Sequence, residues 1–114
     1  MYICIKSWVP TGHALNIAAH AGLIGWLEFQ HLPETQEWLK ESFKKVTCVV
    51  SDEEFEELKK VPNHKVITES RLDNDEVGIV FAPRRKEDWP PIMKTLRLWS
   101  LKMIKVIPRY VDHL

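Results

Sequence analysis

Runs of apolar residues along the chain predict four β-strands. The first run alternates and is rich in β-forming residues, which is typical of a strand. The second run is continuous and apolar, which indicates a strand that is buried on both faces. The predicted strands span residues 2–8, 46–50, 64–68 and 76–82.

The intervening segments predict helices. Ser51 can cap the third helix while Glu54 reaches back to the cap, which is the pattern of a capping box. Pro33 suits the first turn of the second helix, and Pro90 and Pro91 open a last one. The expected helices cover residues 13–30, residues 33–43, residues 51–61, and a segment beginning at 90–91.

The first predicted helix is apolar around nearly its whole circumference, so we expect it to be packed on more than one side. Small residues make parts of its surface thin, in particular Ala18, Gly22 and Gly25. A thin surface allows the backbone of another element to approach closely. The sequence therefore predicts that this helix lies tightly against the sheet.

The order of these elements, β-α-α-β-α-β-β-α, predicts an α/β fold with a mixed four-stranded sheet and helices packed on both faces. A chain of 114 residues fits one domain and is too short for two. We assign residues 1–100 to that domain and residues 101–114 to a C-terminal tail of unknown role.

Composition narrows the class of protein. Hydrophobic residues make up 45% of the chain, and five Trp supply large rings for a core. The N-terminus lacks the pattern of a signal peptide, and no apolar run reaches the roughly 18 residues of a membrane span. Cys4 and Cys48 lie in strand-like runs, where buried reduced thiols are expected, although a disulfide within one sheet stays open. These features predict a cytoplasmic protein that does not contact a membrane.

The formal net charge is zero, which argues against strong nonspecific binding of nucleic acid. The charges are nevertheless divided unevenly, with a net charge of −5 for residues 1–57 and +5 for residues 58–114. Within residues 84–109, eight basic side chains accompany two acidic ones. This segment is either a phosphate-binding patch or the solvated face of a helix.

A polar stripe on the first helix is a candidate site. Asn16 and His20 follow His13 by three and seven residues, so the three side chains share one face. His13 also lies at the start of the helix, where free backbone N–H groups favour an anion or a carbonyl oxygen. In the alternative interpretation, His20 bonds a backbone carbonyl in the core and His13 is a surface residue.

Glu69 is a second candidate, because it closes the third strand just before a polar turn. Strand ends are where α/β folds place reactive groups, although a surface carboxylate at a loop entrance explains this position equally well. The histidine spacing is not that of zinc ligands on a helix, and no nucleophile elbow or glycine-rich phosphate loop occurs. We therefore predict no metal site and no cofactor.

Five short segments follow one another at informative spacings: residues 12–21 (GHALNIAAHA), 45–54 (KVTCVVSDEE), 67–69 (ITE), 77–83 (VGIVFAP) and 96–99 (LRLW). In order and spacing they resemble the type 2 (archaeal and eukaryotic-type) peptidyl-tRNA hydrolases, over about residues 1–100. That family has a Gly-Lys pair and then a His-Ala pair in its first helix. Here Gly12 and the pair His20-Ala21 match, and His13 takes the place of the lysine.

Two further departures from the family pattern fall at the third strand. Glu69 stands where the family has its catalytic Asp, and a turn of Asp73, Asn74, Asp75 and Glu76 replaces the threonines expected after it. The resemblance implies a homodimeric enzyme that hydrolyses the ester between a peptide, or an amino acid, and the tRNA 3′ end without a metal. The alternative is a noncatalytic module on the same scaffold that binds RNA or another protein.

The resemblance also implies roles for individual residues. Glu69 would hold or activate water, and His13 would stabilise the developing oxyanion or shuttle a proton. Asn16 and His20 would orient the site from the helix face. The phosphates of peptidyl-tRNA, or of another tRNA, would be held by Arg84, Arg85, Lys86 and Lys94.

Overall fold

The structure, a computed structural model, describes residues 1–101 of the chain. The strands are β1 (Tyr2–Lys6), β2 (Val46–Val50), β3 (His64–Glu69), β4 (Asp75–Phe81) and β5 (Arg97–Leu98). The helices are α1 (Thr11–Phe29), α2 (Pro33–Lys40) and α3 (Asp52–Leu58). Short 3₁₀ turns cover Ser70–Leu72, Lys86–Asp88 and Pro91–Thr95. The predicted tail lies outside the described residues from residue 102 onward.

The strands form one mixed sheet in the order β3-β4-β1-β2-β5. β1 is parallel to β2 and antiparallel to β4, while β3 and β5 are antiparallel to their neighbours. The predicted mixed sheet of an α/β fold is confirmed, but the predicted number of four strands is wrong. β5 pairs through two exposed residues, Arg97 and Leu98, so no apolar run marks it in the sequence.

The prediction of a last helix is also wrong within residues 1–101. After Pro90 the chain forms a 3₁₀ turn of five residues and then extends at Leu96 (φ −78°, ψ 141°). The turn buries Met93 in the core, and the extended chain places Leu98 opposite Cys48 of β2. A helix continuing through these residues would lose that pairing, so the helical segment stays short.

Helices cover both faces of the sheet, as predicted. α1 lies over β1, β3 and β4, and its Ile17 belongs to a core on that face. α3 covers the opposite face, where Phe55 belongs to a second core. The alternation of β1 explains the division, because Ile3 joins the first core and Cys4 the second.

The predicted capping box at the start of α3 is confirmed. The Ser51 hydroxyl accepts a hydrogen bond from the Glu54 backbone N–H at 3.1 Å, and the Glu54 carboxylate accepts one from the Ser51 N–H at 2.9 Å. The first turn also contains Asp52 and Glu53, whose charges suit the positive end of the helix dipole. These interactions fix the point at which the chain leaves β2.

Cys4 and Cys48 lie opposite each other on β1 and β2, and both are buried free thiols. The hydrogen bond that the Cys4 thiol makes to Cys48, together with burial, raises the pKa of Cys4 above its ordinary value. The same hydrogen bond lowers the pKa of Cys48. The disulfide that the sequence left open is therefore not formed, and the reduced pair packs inside the α3-side core.

α1 approaches the sheet closely at Gly25. A Cβ atom there would lie 2.8 Å from Met1 Cε and 3.0 Å from Val80 Cγ2. At Gly22 a Cβ atom would meet only Lys45, at 3.6 Å from its Cε, which is ordinary contact. Tight packing is therefore present at Gly25, and the expectation for Gly22 is wrong because this residue lies on the flank of the helix.

The outer surface of α1 does not match the expectation that more than one side is packed. Within the residues that the structure describes, Leu15 and Leu23 are each 60% exposed and Leu27 is 59% exposed. Large apolar side chains that share one exposed surface often mark a contact with another molecule. The helix therefore has two apolar faces, of which one is buried against the sheet and the other is exposed.

We predict that Gly25→Leu destabilises the protein by about 1–3 kcal/mol relative to Gly22→Leu, because it overpacks the contact with Met1 and Val80. Both changes replace a helix-interior glycine with the same residue, so the gain in helix propensity is matched. Thermal unfolding followed by circular dichroism measures the difference. Equal melting temperatures for the two variants would contradict the packing described here.

Candidate functional site

Three strands end at one edge of the sheet, here called the carboxyl edge. β1, β2 and β3 run in the same direction and end there at Lys6, Val50 and Glu69. α1 and α3 begin close to the same edge, after the ends of β1 and β2. In α/β folds ligands bind at the carboxyl ends of strands, so this edge is the candidate functional site.

The start of α1 has free hydrogen-bond donors. Pro10 occupies the N-cap position and makes no side-chain cap, and no acidic residue lies in the first turn. The first N–H groups of a helix have no partner within it, so those of Thr11, Gly12 and His13 remain available. The His13 side chain is half-buried beside them. This end of the helix can donate hydrogen bonds to an anion or to a polarised carbonyl oxygen.

Glu69 is held in place by the turn that follows β3. Its carboxylate accepts a hydrogen bond from the Arg71 backbone N–H at 3.2 Å, and its carbonyl accepts one from the Asn74 N–H at 3.0 Å. Asp73 and Asn74 adopt left-handed backbone conformations (φ 56° and 57°), which Asp and Asn tolerate better than most residues. The half-buried carboxylate is thereby fixed at the carboxyl edge.

His13 and Glu69 both lie at the carboxyl edge, at the start of α1 and at the end of β3. Ala14, next to His13, packs in the same core as Ile67. Glu69 follows Ile67 by two residues, beyond the irregular pairing of β3 with β4 between Ile67 and Thr68. Within residues 1–101, no hydrogen bond or ion pair joins His13 to Glu69 directly.

Asn16 and His20 lie farther along the helix and are exposed. His20 follows His13 by seven residues, which corresponds to about 10 Å along the helix axis. The structure therefore places His13 and Glu69 at the same edge of the sheet, whereas His20 lies two turns along α1 from that edge.

A cleft that no sequence motif predicts lies at the same edge. Lys6, Trp8, Asp52, Asp75 and Glu76 line an open depression of about 390 Å³. They come from three separate parts of the chain, so no local motif could have revealed them. The one local signal was an aromatic residue directly after a strand end, at Trp8, whose side chain is 44% exposed.

Ion pairs organise this cleft. Lys6 Nζ lies 3.4 Å from an Asp52 carboxylate oxygen and 4.5 Å from the centre of the Phe55 ring. Lys59 donates a hydrogen bond to Glu76 at 2.6 Å, which raises the pKa of Lys59. Together with Glu69 and Asp75, which lie opposite each other, these groups give the carboxyl edge an acidic character.

The predicted phosphate-binding residues lie mostly at the other end of the sheet. Arg84, Arg85 and Lys86 follow the end of β4, where Phe81 pairs with His64, the first residue of β3. The seven residues of β4 separate them from the carboxyl edge by about 20 Å. Lys94 is exposed in the 3₁₀ turn before β5, which places it nearer the carboxyl edge.

Two of these basic residues have partners of their own. Arg84 donates a hydrogen bond to the Pro62 carbonyl oxygen, and its guanidinium lies 5.1 Å from the centre of the Trp89 ring. Its partial burial lowers the pKa of Arg84. Arg85 lies 3.5 Å from a carboxylate oxygen of Glu37.

The remaining basic residues either are exposed without an acidic partner in the described part of the chain or lie outside it. Lys86 and Lys94 are exposed, and no acidic partner of either is found within the described part of the chain. Arg97 is exposed in β5, and the other three basic residues of the segment 84–109 (Lys102, Lys105 and Arg109) lie outside the described residues.

Comparison with known proteins does not assign a family. No protein-family model matches the chain, and no curated protein matches it either. Within residues 1–101, no three His, Cys, Asp or Glu side chains form a group that could hold a metal ion. In the same residues, no helix combines the length and apolar character needed to cross a membrane.

We predict that Arg84→Ala lowers the free energy of unfolding by about 0.5–1.5 kcal/mol, because it removes the hydrogen bond to the Pro62 carbonyl and the contact with the Trp89 ring. Lys86→Ala is the matched control, since this side chain is exposed, and it should change stability by less than about 0.5 kcal/mol. Urea denaturation measures both. If the two variants unfold at the same urea concentration, Arg84 is not the structural residue that its contacts indicate.

Proposed function

We propose that this protein hydrolyses the ester that joins a peptide or an amino acid to the 3′ end of tRNA. The observation that carries the proposal is that Glu69, at the end of β3, and the uncapped start of α1 with His13 both lie at the carboxyl edge. This edge offers a proton acceptor and hydrogen-bond donors to an incoming ester. The resemblance of about residues 1–100 to the type 2 peptidyl-tRNA hydrolases supports the same proposal.

The arrangement suits attack by water on an ester. The Arg71 N–H holds one end of the Glu69 carboxylate, which leaves acceptor capacity on the carboxylate to orient water and take its proton. The oxygen of that water attacks the carbonyl carbon, and negative charge develops on the carbonyl oxygen. His13 and the free N–H groups at the start of α1 donate hydrogen bonds to that oxygen. The bond to the ribose oxygen then breaks, and this oxygen takes up a proton as it leaves.

The surrounding charges restrict how tRNA approaches. Glu69, Asp75 and Glu76 at the carboxyl edge repel phosphates. We therefore expect only the tip of the tRNA acceptor end to reach this edge, while the body of the tRNA stays away from it. Lys94 and, farther away, Lys86 remain the exposed phosphate-binding candidates. This acidic edge favours the protein-binding form of the rival proposal, a noncatalytic module on the same scaffold, over its RNA-binding form. The cytoplasmic location expected from the sequence stays a prediction.

We predict that Glu69→Gln lowers the rate of peptidyl-tRNA hydrolysis by about 10²–10⁴-fold, because it removes the proton acceptor at nearly constant size. His13→Ala should lower the rate by about 10²–10³-fold by removing an oxyanion donor. The measurement is the release of deacylated tRNA from a purified peptidyl-tRNA mixture. Glu57→Gln is the matched control, because Glu57 is exposed and pairs only with the adjacent Lys60 among the described residues.

The outcomes separate the two proposals. If Glu69→Gln or His13→Ala hydrolyses the ester as fast as the parent protein, that residue is not catalytic. An inactive parent that still binds tRNA, with a binding constant that falls as salt rises, would replace the hydrolase with the RNA-binding module. A parent that neither hydrolyses nor binds tRNA would leave only the protein-binding module.

The homodimer also stays a prediction. The resemblance to the type 2 peptidyl-tRNA hydrolases supports it. We expect sedimentation velocity at micromolar concentration to give a species of twice the chain mass of 13.4 kDa. A single species at the mass of one chain would reject the dimer at that concentration.

A further inference from the structure

An open apolar groove lies between α1 and α2 on the face of the sheet that α1 covers. It has a volume of about 480 Å³. Leu23 and Trp26 line it from α1, and Leu39 lines it from α2. Phe43 and Lys45, from the segment that joins α2 to β2, close one side. The groove takes no part in the proposed ester hydrolysis, because it lies on the flank of α1 away from His13 and Glu69.

The apolar surface extends beyond the groove along α1. Leu15, Ala19, Leu23 and Trp26 follow one another at helical spacing, so they form one stripe. From Leu15 to Trp26 the stripe is about 16 Å long. A small molecule would fill only the groove, whereas a helix of about three turns would also cover the stripe. The shape therefore favours a helical partner over a small ligand.

Phe43 is held in a strained backbone conformation at this groove. Its φ of 51° lies in the left-handed region, which glycine favours and which is unusual for a bulky residue. Its ring is 53% exposed and lies 5.0 Å from the ring of Trp38. Backbone strain of this kind concentrates at binding and catalytic sites. Here it holds an aromatic ring on the rim of the groove.

Lys45 gives the groove its charge. Its Nζ lies 3.3 Å from the centre of the Phe43 ring and 5.2 Å from that of Trp38. Among residues 1–101, no carboxylate lies within ion-pair distance of this ammonium group. Lys45 is also the sole charged residue among the described residues that line the groove. A partner that brings a carboxylate to this position complements the groove in charge as well as in polarity.

We propose that the groove binds an amphipathic helix of another protein, with apolar side chains against Leu23 and Leu39 and a carboxylate against Lys45. A second copy that met this groove with its own groove on a two-fold axis would fit poorly, because it would bring lysine towards lysine and no carboxylate. Residues 102–114 also fit poorly by charge, since they carry three basic residues and one Asp. The occupant is thus an acidic amphipathic segment from a different chain.

The test uses the full chain and two fluorescent synthetic peptides. Both peptides have the same leucine-rich helical face, and their polar faces contain either glutamate or lysine. Fluorescence anisotropy should show the glutamate peptide binding about tenfold more tightly than the lysine peptide, with a difference that shrinks as salt screens the charges. An unlabelled peptide of residues 102–114 is added as a competitor and should not displace the glutamate peptide.

Variants locate the binding surface. Leu23→Glu should weaken binding of the glutamate peptide about tenfold or more, because it places a like charge in the apolar groove. Lys45→Gln should weaken binding about threefold and reduce its salt dependence. Leu98→Glu is the matched control. Leu98 is 68% exposed and pairs with Cys48, so it lies on the opposite face of the sheet and its change should leave binding unaltered.

Phe43→Gly tests whether the Phe43 ring contributes to peptide binding without contributing to the stability of the fold. Glycine adopts the left-handed conformation without strain, so the melting temperature should not fall, while the loss of the ring should weaken binding. Equal affinities for the two labelled peptides, or an equal loss in Leu23→Glu and Leu98→Glu, would overturn the proposal. Displacement by residues 102–114, or a dimer that Leu23→Glu dissociates, would assign the groove to this chain itself and overturn it as well.

Discussion

The close approach of α1 to β4 positions the helix on the sheet, and two glycines permit it. At Gly25 of α1 a Cβ atom would lie 3.0 Å from Val80 Cγ2 of β4. At Gly78 of β4, opposite Ile5 of β1 and Ile67 of β3, a Cβ atom would lie 3.0 Å from the Cys4 carbonyl oxygen and would disturb the pairing of β1 with β4. With α1 seated over β4, its first turn lies at the carboxyl edge. The geometry of the candidate site thus depends on a contact in the middle of the sheet.

Elements whose signal is contained in a short segment could be predicted from the sequence. The apolar run of β2 and the capping box at Ser51 each specify an element without reference to the rest of the chain. β5 could not be predicted, because its two residues are extended only through pairing with β2. The helix expected after Pro91 does not continue for the same reason. A helix through Arg97 and Leu98 would lose the pairing of β5 with β2.

The candidate site shows the same division between local and tertiary information. Glu69 at a strand end and His13 at a helix start were recognisable from local position alone. The cleft beside them could not be recognised, because Lys6, Asp52 and Asp75 come together only when β1, α3 and β4 are assembled. The sequence also could not predict that acidic groups lie at the carboxyl edge while Arg84, Arg85 and Lys86 lie at the opposite edge. That separation depends on the direction in which β4 runs through the sheet.

The outer strands of the sheet bear on the solubility of the protein. An outermost strand with unpaired backbone groups is a template for pairing with other chains and hence for aggregation. β5 offers a template of only two residues on one side. On the other side, β3 carries an exposed Lys65, and its pairing with β4 is irregular between Ile67 and Thr68. Both features hinder edge-to-edge stacking of copies, so the sheet is protected from fibril-like growth although it is not closed into a barrel.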